Sequence, residues 1–268
     1  MLFFWAKAGT EPIKVKCGQC HGCRLERSRV WAARCVHEAQ MHDDNSFITL
    51  TYKDAPASLR YVDFQLFMKR LRKRVGPVRF FMCGEYGEMN ERPHFHAIIF
   101  GFGFRDRSRL SGGVFRSGLL DGLWCHGFAS VGDVSFESAA YVARYVMKKV
   151  NGDLADKHYE YVDSDGVVQH RVPEFCHMSL KPGVGAKWLG KFMSDVYPDG
   201  KMVVRGVESM SARYYDKLFA RADEVGYERL KAEREFEGQE RWKESEPDRL
   251  AAREAVSLAR IRSLKRSI

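Results

Sequence analysis

The chain has 268 residues, of which 45% are hydrophobic and 13% aromatic, and its net charge is +9. This composition excludes a disordered chain, and because no apolar run approaches the roughly 20 residues of a membrane span we expect no integral membrane protein. The positive charge favours a polyanionic partner, with nucleic acid ahead of an acidic membrane surface. Since no segment resembles a signal sequence and the seven cysteines are unevenly spaced, we expect a soluble, cytoplasmic protein with reduced thiols.

Three cysteines lie near the start of the chain, at Cys17, Cys20 and Cys23. Thiols at this spacing can hold a structural Zn²⁺, although such sites normally contain a second complete pair of ligands. Cys35 and His37 are the candidate fourth ligands, and the alternative is a loop of free thiols. An amphipathic helix with a strongly basic start is predicted from Arg24 to about His42, and its arginines either contact phosphates or form a solvated face.

Residues Phe47–Tyr52 alternate as a β-strand, with Phe47, Thr49 and Thr51 on one face. A helix follows, with Asp63 as its predicted N-cap and apolar residues at three- and four-residue spacing. The other face of this helix is densely cationic, which exceeds what solubility requires and favours a DNA-facing surface over a merely solvated one. The cations of this face are Lys69, Arg70, Arg72, Lys73 and Arg74.

The next two strands carry a candidate metal site. Val78–Tyr86 and the strand that begins at His94-Phe95-His96 are joined by a short polar connection, so we predict an antiparallel hairpin. Both histidines then point to one face, and the hairpin brings the carboxylate of Glu85 opposite them. Two neutral histidines and a carboxylate suit Mg²⁺ or Mn²⁺ acting on a phosphate, whereas Zn²⁺ more often takes a third histidine. The alternative is two polar residues on the exposed face of a half-buried strand.

Residues 101–133 are rich in Gly, Ser and Arg, and we expect them to form a long connection. Ser135 is the predicted cap of a helix that runs to Lys149. At 100° per residue the helix keeps its candidate core, Ala139, Val142, Ala143 and Val146, apart from its candidate chemistry. That second arc comprises Tyr141, Tyr145, Lys148 and Lys149, of which Lys149 joins the candidate DNA-contacting cations. The alternative is that the tyrosines only pack against a neighbouring element.

The remainder of the chain offers fewer candidates. A hairpin that turns at Asp165-Gly166 is predicted within residues 161–170, and a basic loop over 179–188 lacks the Gly-Lys-Ser/Thr ending of a P-loop. Residues 221–268 contain 12 Lys and Arg against 11 Asp and Glu, so eight of the nine net positive charges lie before them. We predict a domain over residues 1–220, with a Cys-rich lead-in at 1–23, and a charged helical tail over 221–268.

Three motifs in this order resemble those of the HUH-type rolling-circle replication initiators: the strand Phe47–Thr51, His94-Phe95-His96, and Tyr141 with Tyr145 and Lys148. The chain is most similar to replication initiation proteins of small single-stranded DNA bacteriophages of the microvirus, gokushovirus-like group. The resemblance extends over residues 15–220, including the Cys-rich lead-in and Gly84-Glu85-Tyr86-Gly87. It implies an α+β fold, with a central antiparallel sheet and flanking helices.

The resemblance also implies a function. His94 and His96 would hold Mg²⁺ or Mn²⁺, with Glu85 as the third ligand and Glu88 in reserve. A tyrosine would attack the scissile phosphate of the single-stranded origin, giving a 5′-phosphotyrosine and a free 3′-OH, and the second tyrosine would cut the regenerated origin. Because the sequence shows no ATP-driven helicase domain, we expect a host helicase and DNA polymerase as further partners, in the cytoplasm of the host bacterium.

Other functions are compatible with parts of the sequence. A zinc hydrolase is disfavoured, because Ala97-Ile98-Ile99 stands where the Asp-His of that class would follow. A relaxase or single-strand transposase of the same fold stays open as an alternative. So does a non-catalytic DNA-binding module with a Cys-rich zinc knuckle, which would not need the tyrosines.

Overall fold

The computed structural model describes residues 2–4, 13–18, 20–87, 91–110, 114–144, 150, 155–163, 165–240, 244 and 246–263. The chain divides into two compact units, one of residues Ser28–Lys191 and one of Met1–Arg27 together with Phe192–Ile268. Within the described ranges, none of the helices has the length and apolar character needed to cross a bilayer.

The secondary-structure elements are numbered in chain order. The strands are β1 (Leu2–Phe4), β2 (Ile13–Val15), β3 (Asn45–Tyr52), β4 (Arg79–Tyr86), β5 (Pro93–Phe100), β6 (Arg107–Arg109), β7 (Phe115–Ser117), β8 (Gly127–Gly132), β9 (Glu160–Val162), β10 (Val168–His170), β11 (Phe175–Met178), β12 (Lys201–Val204) and β13 (Val207–Met210). The helices are α1 (His21–Ala39), α2 (Tyr61–Val75), α3 (Gly118–Trp124), α4 (Phe136–Arg144), α5 (Ala155–Tyr159), α6 (Ala186–Lys191), α7 (Met193–Val196), α8 (Arg213–Ala222), α9 (Glu224–Glu240) and α10 (Pro247–Ser263).

A seven-stranded antiparallel sheet forms the centre of the larger unit, with strand order β11-β4-β5-β3-β8-β7-β6. Helices pack on it, and the described C-terminal region consists of the charged helices α9 and α10. The predicted α+β class, with a central antiparallel sheet, flanking helices and a charged helical C-terminal region, is therefore confirmed.

The two faces of the sheet bury different helices, because side chains alternate along each strand. On one face the apolar side of α2, with Phe64 and Phe67, packs on Phe95 and Ile99. On the other face α1 and α4 pack around Phe81, Cys83 and Ile98. We call the second of these the α4 face. It is the face that receives Glu85, His94 and His96, since they alternate with the residues under α2.

Two sequence predictions for this unit are wrong. Residues 101–133 are not a structureless connection: they contain β6, β7, α3 and β8, and the side chains of Leu120 and Trp124 are fully buried. These elements span three to seven residues, too short for hydrophobic periodicity to identify. Asp63 is not the N-cap of α2 but lies in its first turn, where its buried carboxylate accepts a hydrogen bond of 2.8 Å from the Tyr52 hydroxyl.

The smaller unit contains the β1–β2 and β12–β13 pairs and the helices from α7 onward. Asp216 of α8 is held by the Tyr197 hydroxyl at 2.8 Å and by the Arg234 guanidinium of α9 at 2.9 Å. The rings of Tyr197 and Phe219 stack with centroids 3.9 Å apart. These contacts join α8 to α9, and the predicted division at residue 220 stays a prediction.

Candidate metal and nucleophile site

The hairpin of β4 and β5 aligns the three candidate metal ligands. Glu85 is directly opposite His94 in the antiparallel register, and His96 lies two residues further along the same face. The Gly87 amide donates to the Arg92 carbonyl at 3.0 Å, which closes the hairpin. The predicted hairpin is confirmed. Glu88, the reserve ligand, lies outside the described residues.

One carboxylate oxygen faces both imidazoles. Glu85 Oε1 is 2.7 Å from His94 Nε2 and 3.0 Å from His96 Nε2. One ligand atom from each of the three residues lies within 4.8 Å of the others. Glu85 and His96 are buried and His94 is half-buried, so the group is a pocketed cluster at the end of two strands and not a solvated polar face.

The other nitrogen of each ring is also held. His94 Nδ1 lies 3.0 Å from the Arg92 carbonyl oxygen, which can only accept, so Nδ1 carries the hydrogen and Nε2 of the neutral ring presents a lone pair. His96 Nδ1 lies 2.9 Å from the Thr49 hydroxyl, and Phe47 stacks on the His96 ring with centroids 5.9 Å apart. Such outer partners are typical of metal-binding histidines.

The charge of the cluster fits a divalent cation. Burial alone would raise the pKa of Glu85, but the hydrogen bonds from His94 and His96 and their charge interactions outweigh it and bring the pKa to about 2. An ionised carboxylate and the Nε2 lone pairs of neutral rings therefore converge, an arrangement that is repulsive unless a cation or proton lies between them. Two ligands at right angles around Mg²⁺ lie about 3.0 Å apart. The observed separations of 2.7 and 3.0 Å are close to that value.

Helix α4 brings Tyr141 beside the cluster. Its N-terminus is capped as predicted, since the Ser138 amide donates to Ser135 Oγ at 3.2 Å and the Ser135 amide to Ser138 Oγ at 2.8 Å. Ala139, Val142 and Ala143 are fully buried against the sheet. The Tyr141 ring stands edge-on to His96, with centroids 5.0 Å apart. The structure thus places Tyr141 next to the candidate metal ligands.

The other members of the predicted tyrosine and lysine group, Tyr145, Lys148 and Lys149, lie outside the described residues.

The cations of α2 lie on the opposite face of the sheet from this cluster. Arg70 donates to the Leu123 carbonyl at 2.8 Å and Arg72 to the Val78 carbonyl at 3.1 Å, so both brace the fold. Lys69, Lys73 and Arg74 are exposed. The structure therefore does not bring the predicted DNA-facing surface together with Glu85, His94 and His96.

The three N-terminal cysteines also form a cluster. The Sγ atoms of Cys17, Cys20 and Cys23 all lie within 4.8 Å of one another, and the thiols are free. The Cys20 amide donates to Cys17 Sγ at 3.3 Å. Burial is the main cause that raises the pKa of Cys23, so a cation is needed to favour its thiolate.

The candidate fourth ligands of the cysteine cluster were predicted wrongly. Cys35 is fully buried in the apolar layer under α1, where burial raises its pKa. The His37 ring stacks on Trp188 with centroids 3.5 Å apart. Both residues are committed to packing within the larger unit.

Sequence reasoning missed Thr49 as a member of the histidine cluster. Strand alternation placed it on the correct face, but no sequence signal gives the register between β3 and β5, in which Thr49 is opposite His96.

Comparisons with known proteins point in one direction. Residues 45–150 match the family model of the replication-associated protein ORF2. The chain is 34% identical over 222 residues to replication-associated protein VP4 of Bdellovibrio phage phiMH2K, an alignment that covers 76% of this chain and 66% of that protein. It is 33% identical over 150 residues to replication-associated protein ORF4 of Chlamydia phage 1, covering 50% of this chain and 38% of that protein.

A third relative is replication-associated protein ORF2 of Spiroplasma virus 4, which is 27% identical over 247 residues, covering 82% of this chain and 73% of that protein. The chain thus spans slightly less than two thirds of the Bdellovibrio phage protein and well under half of the Chlamydia phage protein. No solved structure matches the chain significantly.

Proposed function

Because the chain belongs to the family of bacteriophage replication-associated proteins, we propose that it initiates rolling-circle replication of a small single-stranded DNA phage by nicking and rejoining the origin. One observation carries this proposal: a buried carboxylate oxygen lies within 3.0 Å of two histidine nitrogens, and a tyrosine ring stands beside one of those histidines. A metal-assisted attack of tyrosine on a phosphodiester needs these groups.

Glu85, His94 and His96 would hold Mg²⁺ or Mn²⁺. When bound, the ion would draw electron density from the scissile phosphate and stabilise charge on its non-bridging oxygens. Thr49 and the Arg92 carbonyl keep the two imidazoles directed at a common point, so the ligands need little reorganisation.

Tyr141 is the proposed nucleophile. Its hydroxyl oxygen bonds to phosphorus while the bond from phosphorus to the 3′-oxygen of the preceding nucleotide breaks. The phenolic proton leaves, and the released 3′-oxygen takes up a proton. The products are a 5′-phosphotyrosine and a free 3′-OH that primes synthesis. One phosphodiester replaces another, so attack of a 3′-OH on the phosphotyrosine reverses the step and rejoins the strand.

The nucleophile must be activated at neutral pH. A phenol titrates near pH 10, so at pH 7 only about one molecule in a thousand is ionised, a deficit of roughly 4 kcal/mol. Positive charge beside the phenol offsets part of this deficit, and we assign that role to Lys148 together with the bound cation. Tyr145, one helical turn beyond Tyr141, is the proposed second nucleophile, which cuts the regenerated origin while the first linkage is resolved.

The remaining predicted residues have supporting roles. Lys69, Lys73, Arg74 and Lys149 would contact phosphates, together with Arg70 and Arg72 where their guanidinium groups are accessible. Cys17, Cys20 and Cys23 would hold a structural Zn²⁺, which the convergence of three thiols supports. Origin DNA is the substrate, a host helicase and DNA polymerase are the expected partners, and the host cytoplasm is the expected location.

The test is formation of a covalent adduct. Incubation with origin-containing single-stranded DNA and Mn²⁺ should give a protein–DNA species that survives SDS. His94→Ala and His96→Ala should abolish it, Tyr141→Phe and Tyr145→Phe should reduce it to different extents, and the double tyrosine variant should abolish it. Matched controls are the exposed His170→Ala and the half-buried Tyr161→Phe, which should retain the adduct.

The outcomes separate the alternatives. An adduct that persists in the double tyrosine variant would overturn the nucleophile assignment. The lack of any adduct with the wild type, under several metals and a verified origin, would favour the non-catalytic DNA-binding module. A relaxase or transposase would give the adduct but would act on a transfer or transposon end and not on a replication origin.

A further inference from the structure

Phe128 is an aromatic side chain that the fold leaves in solvent. It lies on β8, and 67% of its surface is exposed, whereas its strand neighbours Ala129 and Val131 are buried. Single exposed apolar residues are common, but a phenyl ring on a sheet face next to a polar site is a candidate contact surface for a ligand.

The register of the sheet places Phe128 in line with the metal ligands. Phe128 is directly opposite Thr51 of β3, Thr51 is opposite His94 of β5, and His94 is opposite Glu85 of β4. Directly opposed residues of antiparallel strands share a face. Phe128 is therefore on the α4 face, two strand spacings or about 10 Å from His94.

The strand that carries Phe128 is fixed in position. Gly127 has a φ of 154°, and a Cβ on it would lie 2.2 Å from the backbone nitrogen of Lys53. The Lys53 amide donates to the His126 carbonyl at 2.9 Å. This close approach pins the start of β8 against the end of β3, so the Phe128 ring is held at a defined distance from the cluster.

The end of the sheet beside Phe128 is cationic. Lys53 and Arg92 are both exposed, and Arg92 donates to the carbonyl oxygens of Tyr52 and Lys53 at 2.6 and 2.9 Å. Half-buried hydroxyl side chains, Thr51 and Ser130, line the face between Phe128 and the histidines. An aromatic ring, flanked by cations and hydroxyl groups, matches the chemistry of unpaired nucleotides, which combine a π face with an anionic backbone.

We propose that Phe128 is a stacking platform for an unpaired base of the DNA strand whose phosphate is held at Glu85, His94 and His96. This inference rests on the proposed function, since it assumes single-stranded DNA on the α4 face. Stacking on Phe128 would fix the strand a short distance from the scissile phosphate and so limit which phosphodiester reaches Tyr141. Phe128 is a positioning residue, because it contacts the strand and not the reacting atoms.

The test compares two single-stranded probes of equal charge in the presence of EDTA. One is an oligodeoxythymidine of about 20 nucleotides, and the other is an abasic oligomer of the same length. Phe128→Ala should weaken binding of oligodeoxythymidine roughly 5- to 150-fold and leave binding of the abasic oligomer unchanged. The dependence of affinity on salt should not change, because stacking releases no counterions.

Two variants serve as controls. Phe128→Trp should retain the preference for oligodeoxythymidine, and Val168→Ala, at a strand residue that is 58% exposed on β10, should bind like the wild type. Equal losses on both probes, or no loss on either, would overturn the role of Phe128. An unchanged affinity with altered self-association would identify Phe128 as a contact between protein chains instead.

Failure of this inference is distinguishable from failure of the proposed function. EDTA prevents metal-dependent cleavage, so the binding measurement reports on Phe128 whether or not the protein nicks DNA. A wild type that forms the covalent adduct, with a Phe128→Ala variant that binds oligodeoxythymidine normally, would reject only the stacking platform. A wild type that binds neither probe would reject both.

Discussion

The orientation of two imidazole rings decides what the candidate site can bind. His94 is fixed by a backbone carbonyl and His96 by the Thr49 hydroxyl, and both direct Nε2 at one oxygen of Glu85. The Glu85 pKa of about 2 keeps this carboxylate ionised throughout the range in which proteins usually fold. The cluster therefore combines fixed donors with a permanent negative charge, which is what a divalent cation requires.

Thr49 is the residue whose contribution to this orientation can be tested in isolation. Thr49→Val keeps the side-chain shape but removes the hydroxyl 2.9 Å from His96 Nδ1. Loss of such an outer partner typically costs 10- to 100-fold in metal affinity, and we expect a loss of this order for Mn²⁺.

The Thr49 prediction is checked by calorimetric titration with Mn²⁺, alongside thermal unfolding. Thr49→Ser should restore most of the affinity, because it returns the hydroxyl. A Thr49→Val protein that binds Mn²⁺ as tightly as the wild type, at unchanged stability, would show that the hydroxyl does not position His96.

Individual elements differ in how far the sequence predicts them. The Glu85 and His94 pairing was predictable, because a short hairpin connection fixes which residues are opposed. The bonds of Arg70 and Arg72 to the carbonyls of Leu123 and Val78 were not, since a cationic helix face looks the same in sequence whether it is solvated or braced. Likewise β8 was missed, because its six residues become a strand only by pairing with β3.

Helix α1 provides a stability test at the level of an element. Its buried His37 stacks on Trp188 of α6, and burial lowers the pKa of His37 to about 4 from the ordinary 6.5. The unfolded chain therefore binds a proton between pH 6.5 and pH 4 that the folded chain refuses. Folding stability should fall as the pH drops through this range, by about 3 kcal/mol from this residue.

His37→Phe isolates that contribution, since phenylalanine retains an aromatic ring but cannot be protonated. Urea unfolding at pH 7 and pH 4 should show that the variant loses about 3 kcal/mol less stability on acidification than the wild type. Equal acid sensitivity of the two proteins would mean that His37 does not resist protonation in the folded state.

Helix α2 provides a second test, of its proposed contact with DNA. Lys69→Ala combined with Lys73→Ala removes two exposed cations without disturbing the packed face. If both contact phosphates of a single strand, the slope of log affinity against log salt should become shallower by about 0.7 for each. Fluorescence anisotropy over a salt series measures this slope, and an unchanged slope would make the cationic surface of α2 a solvated face.

At the scale of the whole molecule, the sheet separates two surfaces that the sequence could not assign to sides. The metal ligands and Tyr141 share the α4 face, and the exposed cations of α2 lie on the other. A strand held at Glu85, His94 and His96 can reach α2 only around an edge of the sheet. The net charge of +9 supplies attraction for DNA over the whole surface, whereas the geometry of the α4 face sets where the chemistry occurs.

The identity of the modified tyrosine tests the central claim most directly. Trypsin cleavage after Arg144 places Tyr141 and Tyr145 on different peptides, so mass spectrometry of the covalent adduct can assign the linkage. The account predicts a nucleotide 5′-phosphate on Tyr141, formed with Mn²⁺ and lost in Glu85→Gln. A nucleotide confined to other peptides, or one that forms equally in Glu85→Gln, would contradict it.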